Sequence, residues 1–446
     1  MKPARSHFAP AWLALLALAV SSLQAAPAPQ QPVPDQLDLK TAIGFALENN
    51  FAIRQARERI RQQEGVLIEV RSREIPNVSA DGTYQIQDKS LSQSVVPSDR
   101  NWAVGVTASQ VLFAGGGVHS SVKSAKLARE AAILDMKSVI NDALLAVRTA
   151  YYDVLLSREK IKVQESNLQL LQQQLKTTSD RFEAGTVSSF ERLRAEVAVA
   201  NAKVPLITAR NDYRLAIEAL RQQLGFTTNS SEYITKVPEI QGTLDYTPTN
   251  FDLPSAFQAA HANRPDLQRL EKLSASREQL VTAARSDYYP NLALVGGYDM
   301  RKGATNRLWD SRDGFFVGLQ SQWSIFDGRA TAGRVRQAKS LLEQSKLAYS
   351  EAQLGVEAEV RRAFSTWQQA VELVEASQKV VAQAEEAVRL ANARYSAGTS
   401  TQLDVLQVQV DLTTARTNQV QANYNYNVAV ANLRRAVGLG DSFITN

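Results

Sequence analysis

The chain has 446 residues, with 50 Lys or Arg, 45 Asp or Glu, 3 His and no Cys. The lack of cysteine excludes disulfides, thiolate metal centres, a cysteine nucleophile and a lipid-bearing N-terminal cysteine. Setting aside Lys2 and Arg5 leaves 48 basic against 45 acidic residues, mixed along the chain, so no basic block for nucleic acid exists and no nucleic-acid partner is expected.

The chain opens with Lys2 and Arg5, an apolar run AWLALLALAV from Ala11 to Val20, and then SSLQAA. That layout predicts a cleaved secretory signal over 1–25. The apolar run is too short to span a membrane as a helix. The Pro-rich stretch that follows is expected to be a flexible leader over 26–35.

The first structured period is two. In VSADGTYQIQ, Val78, Ala80, Tyr84 and Ile86 fall on one side, and Ser79, Asp81, Thr83, Gln85 and Gln87 on the other. This predicts a strand over about 78–87 with one wet face. A second strand is expected over about 102–112, where Trp102, Val104, Val106 and Ala108 alternate with small or polar residues. Each is close to the length a tilted strand needs to cross a bilayer.

The period then changes to seven. No Pro or Gly occurs between Val118 and Glu183, and Ile140, Val147, Val154, Ile161, Leu168, Leu175 and Phe182 recur at heptad spacing. A long helix over 118–183 is predicted, packed as a coiled coil and reaching about 100 Å. The AGT of RFEAGT ends it, and a return helix is expected over 188–224, with Pro205 inside it as a site for a kink or an open hydrogen bond.

After a polar connector over 228–249 the same order is restated. IPNVS at Ile75 answers YPNLA at Tyr289, RFEAGT at Arg181 answers RYSAGT at Arg394, and LRQQLG at Leu220 answers LRRAVG at Leu433. Two similar units are therefore expected over 36–227 and 250–441. The second holds strands over about 292–301 and 315–325, a long helix over 331–396 carrying Val360, Trp367, Val374, Val381, Val388 and Tyr395 at sevens, and a return helix over 401–437. The fold class is mainly α with a membrane β-barrel portion: long antiparallel coiled-coil helices plus four strands per chain. A soluble hairpin packed on helices is the competing reading. Aromatics near strand ends (Trp102, Tyr288, Tyr289, Phe315, Trp323) favour an interfacial belt in a bilayer. Four strands cannot close a barrel, so several copies must share one, with two, three or four copies giving eight, twelve or sixteen strands.

Taken together, the secretory signal, the doubled strand pairs, the heptad helices and the RFEAGT and RYSAGT turns resemble the TolC-like outer-membrane efflux proteins over roughly Gln36 to Asp441. The resemblance implies a homotrimer with a twelve-stranded barrel in the outer membrane and an α-helical tunnel across the periplasm. Such a trimer is a passive exit duct for a tripartite efflux or type I secretion system, served by an inner-membrane transporter and a periplasmic adaptor (membrane fusion protein). It also implies that Phe182, Gly185, Thr186, Tyr395, Gly398 and Thr399 form adaptor-docking tips, and that Glu191 and Asp404 line the pore aperture. Gly185 and Gly398 fit a plain C-cap role equally well, and Glu191 and Asp404 fit helix-dipole complementation. Gln407 and Ser400 depart from the family's pattern of a second acid and an arginine latch. No catalytic residues, cofactor or metal are expected: His119 and His261 occupy unrelated places, and no phosphate loop or triad spacing is present. A periplasmic coiled-coil adaptor or structural tether without a pore is the alternative.

Overall fold

The computed structural model describes residues 35–88, 90, 99–226, 238–303 and 307–440. The secretory signal and all but the last residue of the leader lie outside these. The chain is mainly helical, and its two units repeat one element order. In the first, β1 (Gln36–Leu37), α1 (Leu39–Asn49) and α2 (Phe51–Arg71) precede β2 (Asn77–Ile86) and β3 (Arg100–Ala114). Helices α3 (Gly117–Glu183) and α4 (Ser189–Leu224) follow. After β4 (Glu239–Ile240), the second unit has α5 (Leu253–Asn263), α6 (Pro265–Arg285), β5 (Asn291–Lys302), β6 (Ser311–Gln322), α7 (Ala330–Ser396) and α8 (Gln402–Ala436).

The two long helices, α3 and α7, have 67 residues each and so run about 100 Å. Near the sheet α2 and α6 lie along α3, and α6 also packs on α7; towards the turns α4 packs on α3, and α8 on both α7 and α3. Helices α1, α2, α5 and α6 were not expected from the sequence. They continue the line of the return helices, so each unit is two helices wide over its whole length. Pro205 is exposed and α4 runs through it from Ser189 to Leu224 without a break, so the cost there is one missing backbone donor rather than a broken element.

Midway along the rod sit two equivalent cores. One gathers Phe45, Val147, Tyr151, Val154, Ile217 and Leu220; the other gathers Ala260, Val360, Trp367, Val374, Tyr426 and Leu433. The connector straps both. Strand β4 pairs in parallel with β1, and the Arg158 guanidinium donates to the carbonyls of Ile240 (2.8 Å) and Gly242. The Tyr151 hydroxyl reaches the Leu37 and Gln241 carbonyls, and its burial pushes its pKa up to about 12. In the second core the Tyr426 hydroxyl donates to Thr247 O at 2.7 Å and accepts from Thr249 N at 3.0 Å.

The four longer strands form one antiparallel sheet in the order β2-β3-β5-β6. Strand β6 starts at Ser311 and ends at Gln322, so Trp323 and Ile325 lie past its end rather than within the expected 315–325. The sheet is not a hairpin laid on its own helices: β2 and β6 are exposed at every residue.

Candidate functional site: the turn tips and the sheet faces

Each hairpin turn is closed by the same local chemistry, which explains why the motif occurs twice. Gly185 and Gly398 take φ of +72° and +76°, the left-handed region open to glycine. The Gly185 amide donates to Phe182 O (2.9 Å) and the Thr186 amide to Arg181 O (2.9 Å); Gly398 and Thr399 donate to Tyr395 O (3.1 Å) and Arg394 O (2.9 Å). The threonine hydroxyls add a second bond to the same arginine carbonyls, at 2.9 and 3.2 Å. Thr186 and Thr399 are therefore part of the cap, and both glycines face open space.

The rings at the turns are covered by arginines. Arg192 lies 4.7 Å from the Phe182 ring centroid, and Arg181 lies 4.8 Å from that of Tyr395. The second contact joins the two units, as does Gln402, whose Nε2 donates to Thr178 Oγ1 at 3.2 Å within the seam between α3 and α8. That seam is polar. Gln402 Oε1, Gln409 Oε1, Gln174 Nε2 and the Tyr395 hydroxyl are all buried without a hydrogen-bond partner. The family resemblance puts Tyr395 at the tip but does not point to Arg181, Arg192, Thr178 or Gln402. The arginine that opens both copies of the motif was the available signal.

Glu191 and Asp404 occupy the same place, the third residue of their helices, but do different things. Asp404 closes a capping box with Thr401: its carboxylate accepts from Thr401 N (2.9 Å), Thr401 Oγ1 (2.8 Å) and Ser400 Oγ (2.7 Å). The Thr401 backbone bond and the two hydroxyls hold its pKa below the usual carboxylate value. In α4 the Glu191 amide donates to Ser188 Oγ at 3.3 Å, but Ser188 starts no reciprocal box. Gln407 turns its amide to Asp411 at 3.1 Å.

At the other end, strand register separates the sheet into two faces. Val78, Ala80 and Tyr84 of β2 stand opposite Ala108, Val106 and Trp102 of β3. Val106 and Val104 stand opposite Tyr298 and Met300 of β5, and Leu294, Gly296 and Tyr298 opposite Leu319, Val317 and Phe315 of β6. One apolar surface thus crosses all four strands. The reverse face carries Ser79, Asp81, Thr83, Thr107, Ser109, Asp299, Arg301 and Arg312. The free edges are β2 and β6, whose outward backbone groups have no partner strand. Trp323 Nε1 donates to Tyr288 O (3.1 Å), pinning an aromatic pair where the sheet meets the helices. Among the described residues no helix is long and apolar enough to cross a membrane, and no group of His, Cys, Asp and Glu could hold a metal.

Comparison with known proteins gives the same outline. The family model for outer membrane efflux protein matches residues 42–226 and 256–439, one match per unit. Outer membrane protein TolC of Escherichia coli is 26% identical over 312 residues, covering 66% of this chain and 61% of that protein. The pyoverdine export outer membrane protein OpmQ of Pseudomonas aeruginosa is 25% identical over 417 residues, covering 90% of this chain and 84% of that protein. Among solved structures, the Campylobacter jejuni CmeC outer membrane channel superposes with a TM-score of 0.78 at 16% identity, over 94% of this chain and 91% of that one.

Proposed function

Because the chain belongs to the outer membrane efflux protein family, as an outer-membrane transport protein and not an enzyme, we propose that three copies assemble into one export duct. The single observation that carries this reading is the sheet. It has a continuous apolar face, a polar reverse face and two unpaired edges, and it stands on the end of helices about 100 Å long. An open edge in lipid leaves unpaired N–H and C=O groups at a cost of several kcal/mol each, so edge must meet edge in another copy. Three copies give a barrel of twelve strands, with the apolar face to lipid and the polar face to the lumen. The helices beneath it then close a tunnel through the periplasm.

The duct is passive. An inner-membrane transporter and a periplasmic adaptor deliver the cargo, and the adaptor docks at the turns around Phe182, Gly185 and Thr186 and around Tyr395, Gly398 and Thr399. These turns are exposed, rigidly capped and repeated twice per chain, which suits a helical-hairpin partner. Glu191 and Asp404 lie one turn inside the mouth and line the aperture. Since a relative is named for pyoverdine export, siderophores are the first cargo class to assay.

The test is reconstitution of the purified chain into planar bilayers. Discrete single-channel steps from a trimeric sample are expected. A coiled-coil tether without a pore gives none, and that result overturns the duct.

A further inference from the structure

The polar face of the sheet is not uniformly polar; register sorts its charges into tiers. Counting from the helix end, one cross-strand row is Asp81, Gly105, Asp299 and Gly314, and the next is Thr83, Ala103, Arg301 and Arg312. The two rows are separated by two residues of strand, about 7 Å. Every charge in the first row is negative and every charge in the second is positive.

The basic row has two features that packing does not explain. Arg301 and Arg312 are direct partners across β5 and β6, an arrangement of like charges that costs stability in a sheet. Both are exposed, and among the described residues neither guanidinium has an ion pair or hydrogen bond to offset that repulsion. On the loop side, Asp310 has interactions of its own and lies against Gly303. Asp299, on the helix side, is seated across the sheet on Gly105: a Cβ at Gly105 would lie 2.3 Å from Asp299 Oδ1. A glycine is therefore required to let that carboxylate lie flat against the wall, in its own row and away from the arginines.

We infer that Arg301 and Arg312 form an anion-binding collar at the exit mouth of the barrel, just beneath the loop end of the strands. This rests on the trimeric duct proposed above, which gathers six arginines into one ring over six aspartates. A ring of forked, permanently charged donors aimed into a water-filled lumen recognises phosphate and carboxylate groups bidentately. A polyanion arriving from outside is held at the collar and excluded from deeper entry by the acidic row. A small cation is opposed at the mouth. The wall thus treats the two directions of travel differently.

The experiment is single-channel recording in planar bilayers at about 0.1 M salt, where charge acts over roughly 10 Å. Tripolyphosphate is added to one side at a time. Addition on the loop side is expected to block the current, and the R301Q/R312Q double variant raises the half-blocking concentration at least about tenfold, a change of roughly 1.4 kcal/mol. The D81N/D299N variant keeps or strengthens the block. Block of equal potency from the helix side, no block of the native channel, or an unchanged half-blocking concentration in R301Q/R312Q would each overturn the collar while leaving the duct intact. A native chain that gives no channel at all overturns the duct and the collar together.

Discussion

At the scale of single residues, neither a shared backbone conformation nor an equivalent position in the two units means an equal constraint. Gly185 and Gly398 share a left-handed backbone with Gly225, but a side chain at either turn glycine meets nothing within 4 Å, whereas a Cβ at Gly225 would lie 2.4 Å from Asn49 O. Replacing Gly185 and Gly398 by Val therefore costs only the left-handed strain, about 1–2 kcal/mol each. Trimers extracted from the outer membrane should persist on a gel run without boiling, while efflux of a transported dye falls through lost docking. Gly225→Val instead forces backbone apart and depletes the trimer band itself. If the Gly185 and Gly398 variants export normally, the turns are not docking points. Glu191 and Asp404, proposed to line the aperture, divide in the same way. The Asp404 carboxylate is occupied by three cap bonds, while the box that Ser188 begins is not closed by Glu191. Glu191→Gln should thus shift the reversal potential in a salt gradient away from cations more than Asp404→Asn does. The Asp404 change should act on the helix start instead. Its folded pKa is lowered, so the cap is fully formed above the ordinary carboxylate value and is lost only as pH falls through the lowered one. An equal or larger selectivity change in Asp404→Asn would reverse this assignment.

Between elements, the joint where a short helix pair meets a return helix is built twice with different chemistry. In the first unit Asn50 caps α2 through Ala52 N (2.9 Å) and its Nδ2 donates to Gln223 O at the end of α4 (2.7 Å). In the second, the equivalent Arg264 donates to Ala436 O (3.2 Å) and needs two acids, Asp266 (2.7 Å) and Glu359, to hold its charge. Arg435 extends that network to Glu359 and, at 2.7 Å, to Asp142 of α3. Removing Arg264 leaves Asp266 without its cation and Glu359 with Arg435 alone. Because the two carboxylates keep 30% and 33% of their side-chain surface in solvent, Arg264→Ala should cost about 2–3 kcal/mol, at or below the low end for a fully buried pair. Asn50→Ala should cost about 1 kcal/mol. Burial raises the Asp266 pKa, but the hydrogen bonds and charge of Arg264 outweigh it and leave it lowered. The acid then contributes stability above its unfolded value near 3.9 and loses it as pH falls further, so the gap in Tm between native and Arg264→Ala should narrow by pH 3. A gap independent of pH would mean that Arg264 acts only by packing. This joint was not legible beforehand. Long regular elements announce themselves: the heptads of α3 and α7 and the alternation at Val78 or Phe315 each bury or present a whole face. By contrast α2 fully buries only Ile53 and Ala56, and α6 only Leu267, Ser276 and Val281, too few to imprint a period. The connector's straps depend on single side chains, Tyr151, Arg158 and Tyr426, reaching carbonyls more than 80 positions away in the chain, and no local pattern records such a bond. Of the turns, the glycine, the threonine and the opening arginine are readable as a repeated word, but the stacking of Arg192 on Phe182 and of Arg181 on the other unit's Tyr395 is not.

For the molecule as a whole, the question is what satisfies the edges of the sheet. Strand β2 spans 10 residues and β6 spans 12, each with one side of its backbone unpaired, long enough to cross a bilayer when tilted. A monomer has no remedy, since neither edge is covered by its own helices and β2 and β6 cannot reach each other around a wall of four strands. Pairing β2 of one copy with β6 of the next removes both edges at once, and rotational symmetry repeats the solution until the ring closes. The absence of cysteine makes this directly measurable, because any introduced pair reports without background. With one cysteine fixed at Ala80 and a second walked along β6 from Asp313 to Ser321, the disulfide criterion of Cα atoms within about 7 Å selects the facing position. Oxidation in intact cells should give crosslinked dimers and trimers at one or two positions of matching parity and none at those between, since successive side chains point to opposite faces. Crosslinks confined within a single chain, or none anywhere along β6, would leave the edges open and remove the basis for a shared barrel. A ladder ending at trimers fixes the number of copies; one continuing to tetramers would keep the barrel and change its size to sixteen strands.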